Sequence, residues 1–463
     1  MRKMAGLALM IGAALAAGCN STNDSTTPEP SAKNVIFFLG DGMGLNTLTA
    51  ARIYGVGEEG SLTIDTLPET AFIKTFSHDS QVTDSAPSMA AYMTGVKSNN
   101  GVISMDSDAT QESDCSKSAG KPVTTLLELA KADGRGTGVV TSTRVTHATP
   151  AATYAHICNR DLEADIAAQL VPGGAGYNAA LKEGLDVVLG GGSSFFLPTT
   201  AKGKRSDGRD LIAEMQAKGY QFASSLDQLN QADANKPLLG LFGSSHMKYD
   251  LDRPANEPSL AQMTLAAIKQ LKDKEKGYFL MVEGGRIDHA LHDTNAKRAL
   301  QDTLAFDDAI KAAIDEVKKT DPELKNTLIV VTADHDHTLV LNGYAKRTGK
   351  TTASNPGVLG LVKNYETGEP SKDSDGMPYT IIGFGNGYNR VDGPRSSVAA
   401  LDDATVSAND YHQEVVVKVG EIGNETHGGT DVFLGAIGQG ADSFHGSLDN
   451  TAVFGKVKAA AKL

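Results

Sequence analysis

The sequence predicts an α/β fold: a doubly wound, mostly parallel central sheet with helices on both faces, plus loop-rich, crown-like insertions. Two observations predict it. Short apolar runs of the kind buried on both faces of a parallel sheet recur along the chain, each closed by glycine or polar residues. They are Val35 to Leu39, Gly138 to Thr141, Val187 to Leu189, Tyr278 to Val282, Thr327 to Val331, Tyr379 to Ile382 and Val432 to Leu434. Helical patterns lie between them, at Thr124 to Ala132, at Leu260 to Leu271 and at Ala299 to Val317. Such alternation favours crossover connections and hence parallel strands. Ligands of doubly wound sheets bind beyond the carboxyl ends of the strands, so chemistry is expected immediately after each run.

That is where unusual residues stand. Asp41 follows the first run, Thr149 comes soon after the second, Glu283 follows YFLMV, and Asp334 and His335 follow TLIVVTA. Two stretches depart from the alternation, 339–377 and 387–425. Both are rich in Gly, Asn, Ser, Lys and Asp and too long for simple connections, so they read as insertions, the second with a short strand around Val415 to Val419.

With 463 residues the chain can form one large α/β domain or two ordinary ones. Asp and Glu outnumber Lys and Arg by 56 to 43, a formal charge of -13, which excludes the basic footprint of a nucleic-acid-binding surface. An acidic protein that handles an anion must invert its field locally, and bound cations would do so.

The first residues read as an export signal. Arg2 and Lys3 precede an apolar stretch, Met4 to Ala17, too short to span a bilayer. Leu15-Ala16-Ala17-Gly18-Cys19 has the form of a bacterial lipoprotein box, with cleavage leaving Cys19 lipidated; an ordinary cleaved signal is the alternative. Polar, Pro-bearing residues 20–33 read as a tether, and 34–463 as the folded domain. Cys115 and Cys158 remain, enough for one disulfide and too few for a thiolate metal site.

GDGMG, residues 40–44, lacks both GxxxxGK[ST] and GxGxxG, and an acid aimed at a pyrophosphate would repel it. Asp41 suits a metal better, although a turn aspartate would look the same. In VEGGRIDHALH, Asp288 and His292 are four apart and share a helix face, able to reach one ion, while Glu283 stays at the strand end. TADHDH crowds two Asp and two His into four positions, costly without a cation. Asp334 and His335, nearest the strand, are the candidate ligands; Asp336 and His337 are left as supporting or solvated. His427 in GNETHGG is a further candidate. In VTDSAPSMAAYMTG a helix begins near Ser85, where the dipole favours an alkoxide and an incoming phosphate. A capping serine gives the same pattern, but no GxSxG elbow surrounds Ser85, so a metal is its activator if it is a nucleophile. Thr149 offers a neutral oxygen to magnesium, and Arg160 a fork for two phosphate oxygens.

Together GDGMG, TDSAPS, THATPAATYAHICNR, VEGGRIDHALH, TADHDH and ETHGG, in this order, resemble the alkaline phosphatase family from Asn34 to the C-terminus. The resemblance implies hydrolysis of small phosphate monoesters through a phosphoserine on Ser85, with Arg160 clamping the phosphate. It implies two Zn2+, one on Asp288, His292 and His427 and one on Asp41, Asp334 and His335, and one Mg2+ on Asp41, Thr149 and Glu283. Asp84, His147 and His289 would act in support or on substrate; at the last two positions some family members have Asp and Lys. Six positive charges would then exceed the four carboxylates and make the pocket cationic. A homodimer, with the second insertion as its cap, and a periplasmic or cell-envelope location complete the expectation. Three alternatives remain: a sulfatase, against which Met89 stands where an arginine is needed; a phosphodiesterase; and a non-catalytic phosphate- or metal-binding surface lipoprotein.

Overall fold

The computed structural model describes residues 31–463, so the expectations placed on the signal segment, Cys19 and most of the tether lie outside the described residues. Fifteen strands are described: β1 (Asn34–Gly40), β2 (Glu69–Lys74), β3 (Gly136–Arg144), β4 (Val187–Gly191), β5 (Gln221–Ala223), β6 (Leu238–Leu241), β7 (Tyr278–Gly284), β8 (Thr327–Ala333), β9 (Asp336–His337), β10 (Leu339–Leu341), β11 (Ile382–Gly387), β12 (Val415–Lys418), β13 (His427–Gly428), β14 (Val432–Gly438) and β15 (Gly446–Asp449). Ten of them form the central sheet, in the order β15-β2-β14-β8-β1-β7-β3-β4-β6-β5. From β8 to β5 every pairing is parallel. β1, β7 and β8 are buried along almost their whole length, which explains their unbroken apolar sequences.

Two expectations need correction. The run at Val432 to Leu434 forms a strand that is antiparallel to both neighbours, β8 and β2. An antiparallel strand buried on both sides is as continuously apolar as a parallel one, so composition does not reveal its direction. The run Tyr379 to Ile382 is no strand of the central sheet. Ile382 opens β11, which pairs with β10 and β12 in a separate three-stranded sheet. The two stretches read as insertions thus share one small sheet, and Val415–Lys418 is indeed a strand.

The helices follow their sequence signals closely. Leu260–Leu271 begins at a capping box of Ser259 and Gln262. Leu126–Asp133 begins at a second box, Thr125 with Glu128. Glu128 also meets His156 Nε2 at 2.7 Å, and their side chains are 3% and 10% exposed. Burial pushes the Glu128 pKa up, but bonds from His156 outweigh it and hold it below 4.5; burial pushes His156 down, but Glu128 holds it above 6.5. The lowered Glu128 pKa gives stability that is lost as pH falls below 4.5, and the raised His156 pKa gives stability that is lost as pH rises past 6.5. Glu128→Gln should therefore cost about 3 kcal/mol near pH 5.5 and less at pH 9. Denaturant unfolding of both proteins at the two pH values measures this, and an equal loss at both would refute the pairing.

Cys115 and Cys158 form a disulfide. Among the described residues no helix is long and apolar enough to cross a membrane.

Candidate active site

The site lies at the carboxyl ends of four adjacent strands, β3, β7, β1 and β8. Asp41 leaves β1 next to Gly42, whose φ of +68° and N–H bond to Asp334 Oδ1 at 3.0 Å turn the loop back over β8. A Cβ on Gly42 would lie 2.5 Å from His337 Nε2, and one on Gly44 1.5 Å from Asp336 Oδ1. The glycines of GDGMG thus make room for side chains of TADHDH.

Ser85 begins the helix Ser85–Thr94, capped by Asp84, whose side chain accepts from Ala86 N. The helix is fixed over β8 by Ser88 Oγ, which donates to Asp334 O at 2.7 Å, and by Tyr92 Oη, which donates to Ala333 O at 2.8 Å. Ser85 is 2% exposed, and its Oγ stands 3.3 Å from both Asp41 Oδ1 and His335 Nε2. The cap is therefore Asp84, so the capping role that competed for Ser85 is filled by its neighbour.

Four overlapping groups of candidate ligands lie in the site: Asp41, Asp334 and His335; Asp41, His147 and Glu283; Asp288, His335, His337 and His427; and His292, His337 and Glu425. Asp41, Asp334 and His335 lie together, all fully buried. Asp41 also approaches Glu283 on its other side, where Thr149 Oγ1 donates to Asp41 Oδ2 at 3.2 Å. Glu283 faces Leu39 of β1 and Thr141 of β3 in register; its Oε2 accepts from Thr141 and, at 3.0 Å, from Thr143 Oγ1. The third group centres on Asp288. The helix Arg286–His292 does put Asp288 and His292 on one face, with His292 Nε2 3.2 Å from Asp288 Oδ1. His427 Nε2 lies 3.1 Å from His292 Nε2 and 3.5 Å from Asp288 Oδ1.

The donor set fits cations. Glu283 Oε1 and Asp334 Oδ2 are buried without a hydrogen-bond partner. Burial and the nearby Asp41 push Asp334 up to about 8 and Glu283 well above the carboxylate range. Burial pushes Asp288 up too, but His292, His337 and His427 hold it well below. Burial opposes a charge on His335, yet Asp334 and Asp41 raise it to about 9. Several buried anions and imidazoles here contest too few protons, a conflict that divalent ions remove.

The two residues whose part the sequence leaves undecided are both buried in the site. His337 is buried, with Nε2 2.8 Å from Asp288 Oδ1 and Nδ1 2.6 Å from Glu425 Oε2. β9 and β13 pair His337 opposite His427, which sets this arrangement. Asp336 is also buried and accepts from Thr430 Oγ1 at 2.6 Å. Neither is solvated. Glu425 and His246 escape sequence reasoning altogether. Glu425 carries a signal in hindsight, a carboxylate two residues before His427; His246, in a serine-rich loop, carries none.

On the outer side, Arg160 Nη1 donates to Asp84 Oδ1 at 3.2 Å and Nη2 to His147 Nε2 at 3.0 Å. His147 packs against His289 and His246, with ring centroids 5.3 Å away in each case. Burial, then Arg160, holds His147 well below 6.5, and burial holds His289 at about 3. A chain of strand-end acids, a helix-terminal hydroxyl and a guanidinium fork is therefore assembled from every motif singled out in the sequence.

The family model for alkaline phosphatase matches residues 32–463. The chain belongs to the alkaline phosphatase family. It is 38% identical over 456 residues to the tissue-nonspecific alkaline phosphatase of Rattus norvegicus, spanning 90% of this chain and 81% of that one. It is also 38% identical to the membrane-bound alkaline phosphatase of Bombyx mori, over 91% of this chain and 78% of that one. Among solved structures, the Thermus thermophilus alkaline phosphatase superposes with a TM-score of 0.67 at 26% identity, covering 97% of this chain and 96% of the other. The enzyme of the Antarctic bacterium TAB5 gives 0.64 at 26% identity, over 94% and 98%. A variant of that enzyme binds Mg in its M3 site. Alkaline phosphatases are metal-dependent phosphomonoesterases, and this family member is a phosphoric monoester hydrolase.

Proposed function

We propose that this alkaline phosphatase works through a phosphoserine on Ser85. One observation carries the reading: a hydroxyl at a helix N-terminus stands 3.3 Å from a carboxylate and from an imidazole of one candidate cation group. Asp41, Asp334 and His335 would hold a zinc ion beside Ser85, Asp288, His292 and His427 a second on the leaving-group side, and Asp41, Thr149 and Glu283 a magnesium. When bound, these ions supply Lewis acidity and lower the pKa of hydroxyl and water. The chain's own residues do the rest. Ser85 Oγ forms its bond to phosphorus in line with departure of the ester oxygen, and the N-terminal N–H groups of its helix face the growing negative charge. Arg160, held by Asp84 and His147, binds two non-bridging oxygens. Water then cleaves the P–O bond to Ser85, releasing phosphate and restoring the hydroxyl.

His147 adjusts the third site. Arg160 only donates, so the His147 Nε2 it meets is an acceptor and the proton sits on Nδ1. In that tautomer His147, which has a ring nitrogen within 4.8 Å of the carboxylates of Asp41 and Glu283, would reach the third site through water. Thr141 and Thr143 orient Glu283 from behind.

The reading includes attachment to the cell envelope, on the periplasmic side, through a lipidated Cys19, supported by the LAAGC box. It also includes a homodimer. The edge strand β12 exposes Val416 and Val417 by 67% and 51%, an apolar edge that a second copy would cover. Sedimentation as a monomer at working concentration would remove the dimer.

Metal analysis of the purified protein, with turnover of p-nitrophenyl phosphate, bis(p-nitrophenyl) phosphate and p-nitrophenyl sulfate, tests the whole. The expected result is zinc and magnesium near 2:1, and the monoester as much the fastest substrate. Faster diester or sulfate hydrolysis would overturn it.

A further inference from the structure

His246 has no part in the centre as described so far, yet it closes a cluster of three imidazoles with His147 and His289. Its ring centroid lies 5.3 Å from that of His147 and 4.2 Å from that of His289. Its Nε2 meets Arg144 Nη1, and Arg144 is fixed in turn by Glu163 at 2.6 Å. A guanidinium has donors and no acceptor, so Nε2 of His246 must accept and the ring proton must sit on Nδ1. His147 is held in the same tautomer by Arg160. Two rings from separate loops, packed against each other, are thus each held by an arginine with the proton on Nδ1. Both Nδ1 atoms, and that of His289, are buried without a protein partner. Fixed donors in a buried place call for an acceptor, and no protein group stands within hydrogen-bonding distance of any of them.

We propose that His246 is a positioning residue for the phosphate: with His147 it donates from Nδ1 to a single oxygen, a water in contact with the phosphate, held among His147, His246 and His289. The shared oxygen locks the His147 ring and through it the outer Nη2 of Arg160. The inference rests on the reading of Arg160 as the phosphate clamp. His246 touches neither the reacting atoms nor a candidate ligand, so its removal should weaken phosphate binding and spare the chemical step.

Two substitutions separate this role from simple packing. Asn places a donor where Nδ1 stands but cannot reach Arg144. Gln places an acceptor where Nε2 stands and keeps Arg144 but offers nothing at the Nδ1 position. In the fully metallated enzyme, His246→Gln should raise both KM for p-nitrophenyl phosphate and Ki for inorganic phosphate about tenfold. It should change kcat less than about threefold, while His246→Asn stays close to wild type in all three. His246→Ala, which loses both contacts, should match His246→Gln and serves in its place if the glutamine variant does not fold. The reverse ranking, equal losses in Asn and Gln, or an unchanged Ki in Gln and Ala would overturn the proposal. Arg160→Ala, measured alongside, tests the clamp separately: an unchanged Ki there defeats the clamp reading whatever the His246 variants do.

Discussion

Ser85→Ala is expected to lower kcat for p-nitrophenyl phosphate by roughly a thousandfold or more, because it removes the hydroxyl proposed to form the covalent intermediate. The structure confines the damage. Asp84, not Ser85, caps the helix, and Ser88 and Tyr92 anchor it to β8, so the substitution leaves the fold and the ligands of all three proposed ions in place. Metal content should therefore stay within error of wild type, and phosphate trapped on the protein by acid quenching should disappear. A variant that still accumulates acid-stable phosphoprotein, or retains more than a few per cent of turnover, would sink the mechanism.

Removing the ions should be as damaging to activity and should also destabilise the fold. Asp41, Glu283, Asp288 and Asp334 are all essentially buried, and stripped of cations they must share protons or repel. The pH dependence follows from the raised values. With Asp334 at about 8 and Glu283 well above its ordinary value, the metal-free native state holds protons that the unfolded chain releases near pH 4. His335 at about 9 adds to the same trend. Above pH 6.5 the low-lying His147 and His289 are neutral in both states and the native state binds more protons, so the stability of the stripped protein falls as pH rises from about 6.5 to 9. Asp41 and Asp288, held low, act only at more acid pH. The melting-temperature gap between metal-loaded and chelated protein should accordingly be wider at pH 9 than at pH 6. A gap of zero, or one that narrows with pH, would contradict the placement of these carboxylates around ions.

The strand ends were the legible part of this protein. Asp41, Glu283, Asp334 and His335 are visible because a buried strand that ends in an acid is a local pattern, and Asp288 with His292 because helical spacing is local too. What could not be read is what depends on direction or on distant partners. β14 runs antiparallel to both neighbours although its sequence resembles that of the parallel strands of the sheet. His337 looked equivalent to the solvated histidine of any polar loop until β9 met β13 across ninety residues of chain. His246 is bound to the site through Arg144 and His147, which share one segment, and through His289 from another. Identity of residue carries over from sequence to site wherever the backbone alone aims the side chain, and fails where a second segment does the aiming.

Sequence distance has a further effect. Ser85 and His335 are 250 positions apart, Gly42 and Asp334 are 292, and Thr83 and His427 are 344. No single segment contains a complete set of ligands: Asp41 meets Asp334 only where β1 pairs with β8, Asp41 meets Glu283 only where β1 pairs with β7, and His427 is brought in by the pairing of β13 with β9. Contacts this remote carry a large loop-closure cost and come late in folding. A nascent or refolding chain therefore has no competent place for an ion to nucleate structure, unlike a zinc finger, whose ligands are neighbours. Metal bound at the proposed sites would select and retain the finished sheet rather than guide the chain toward it.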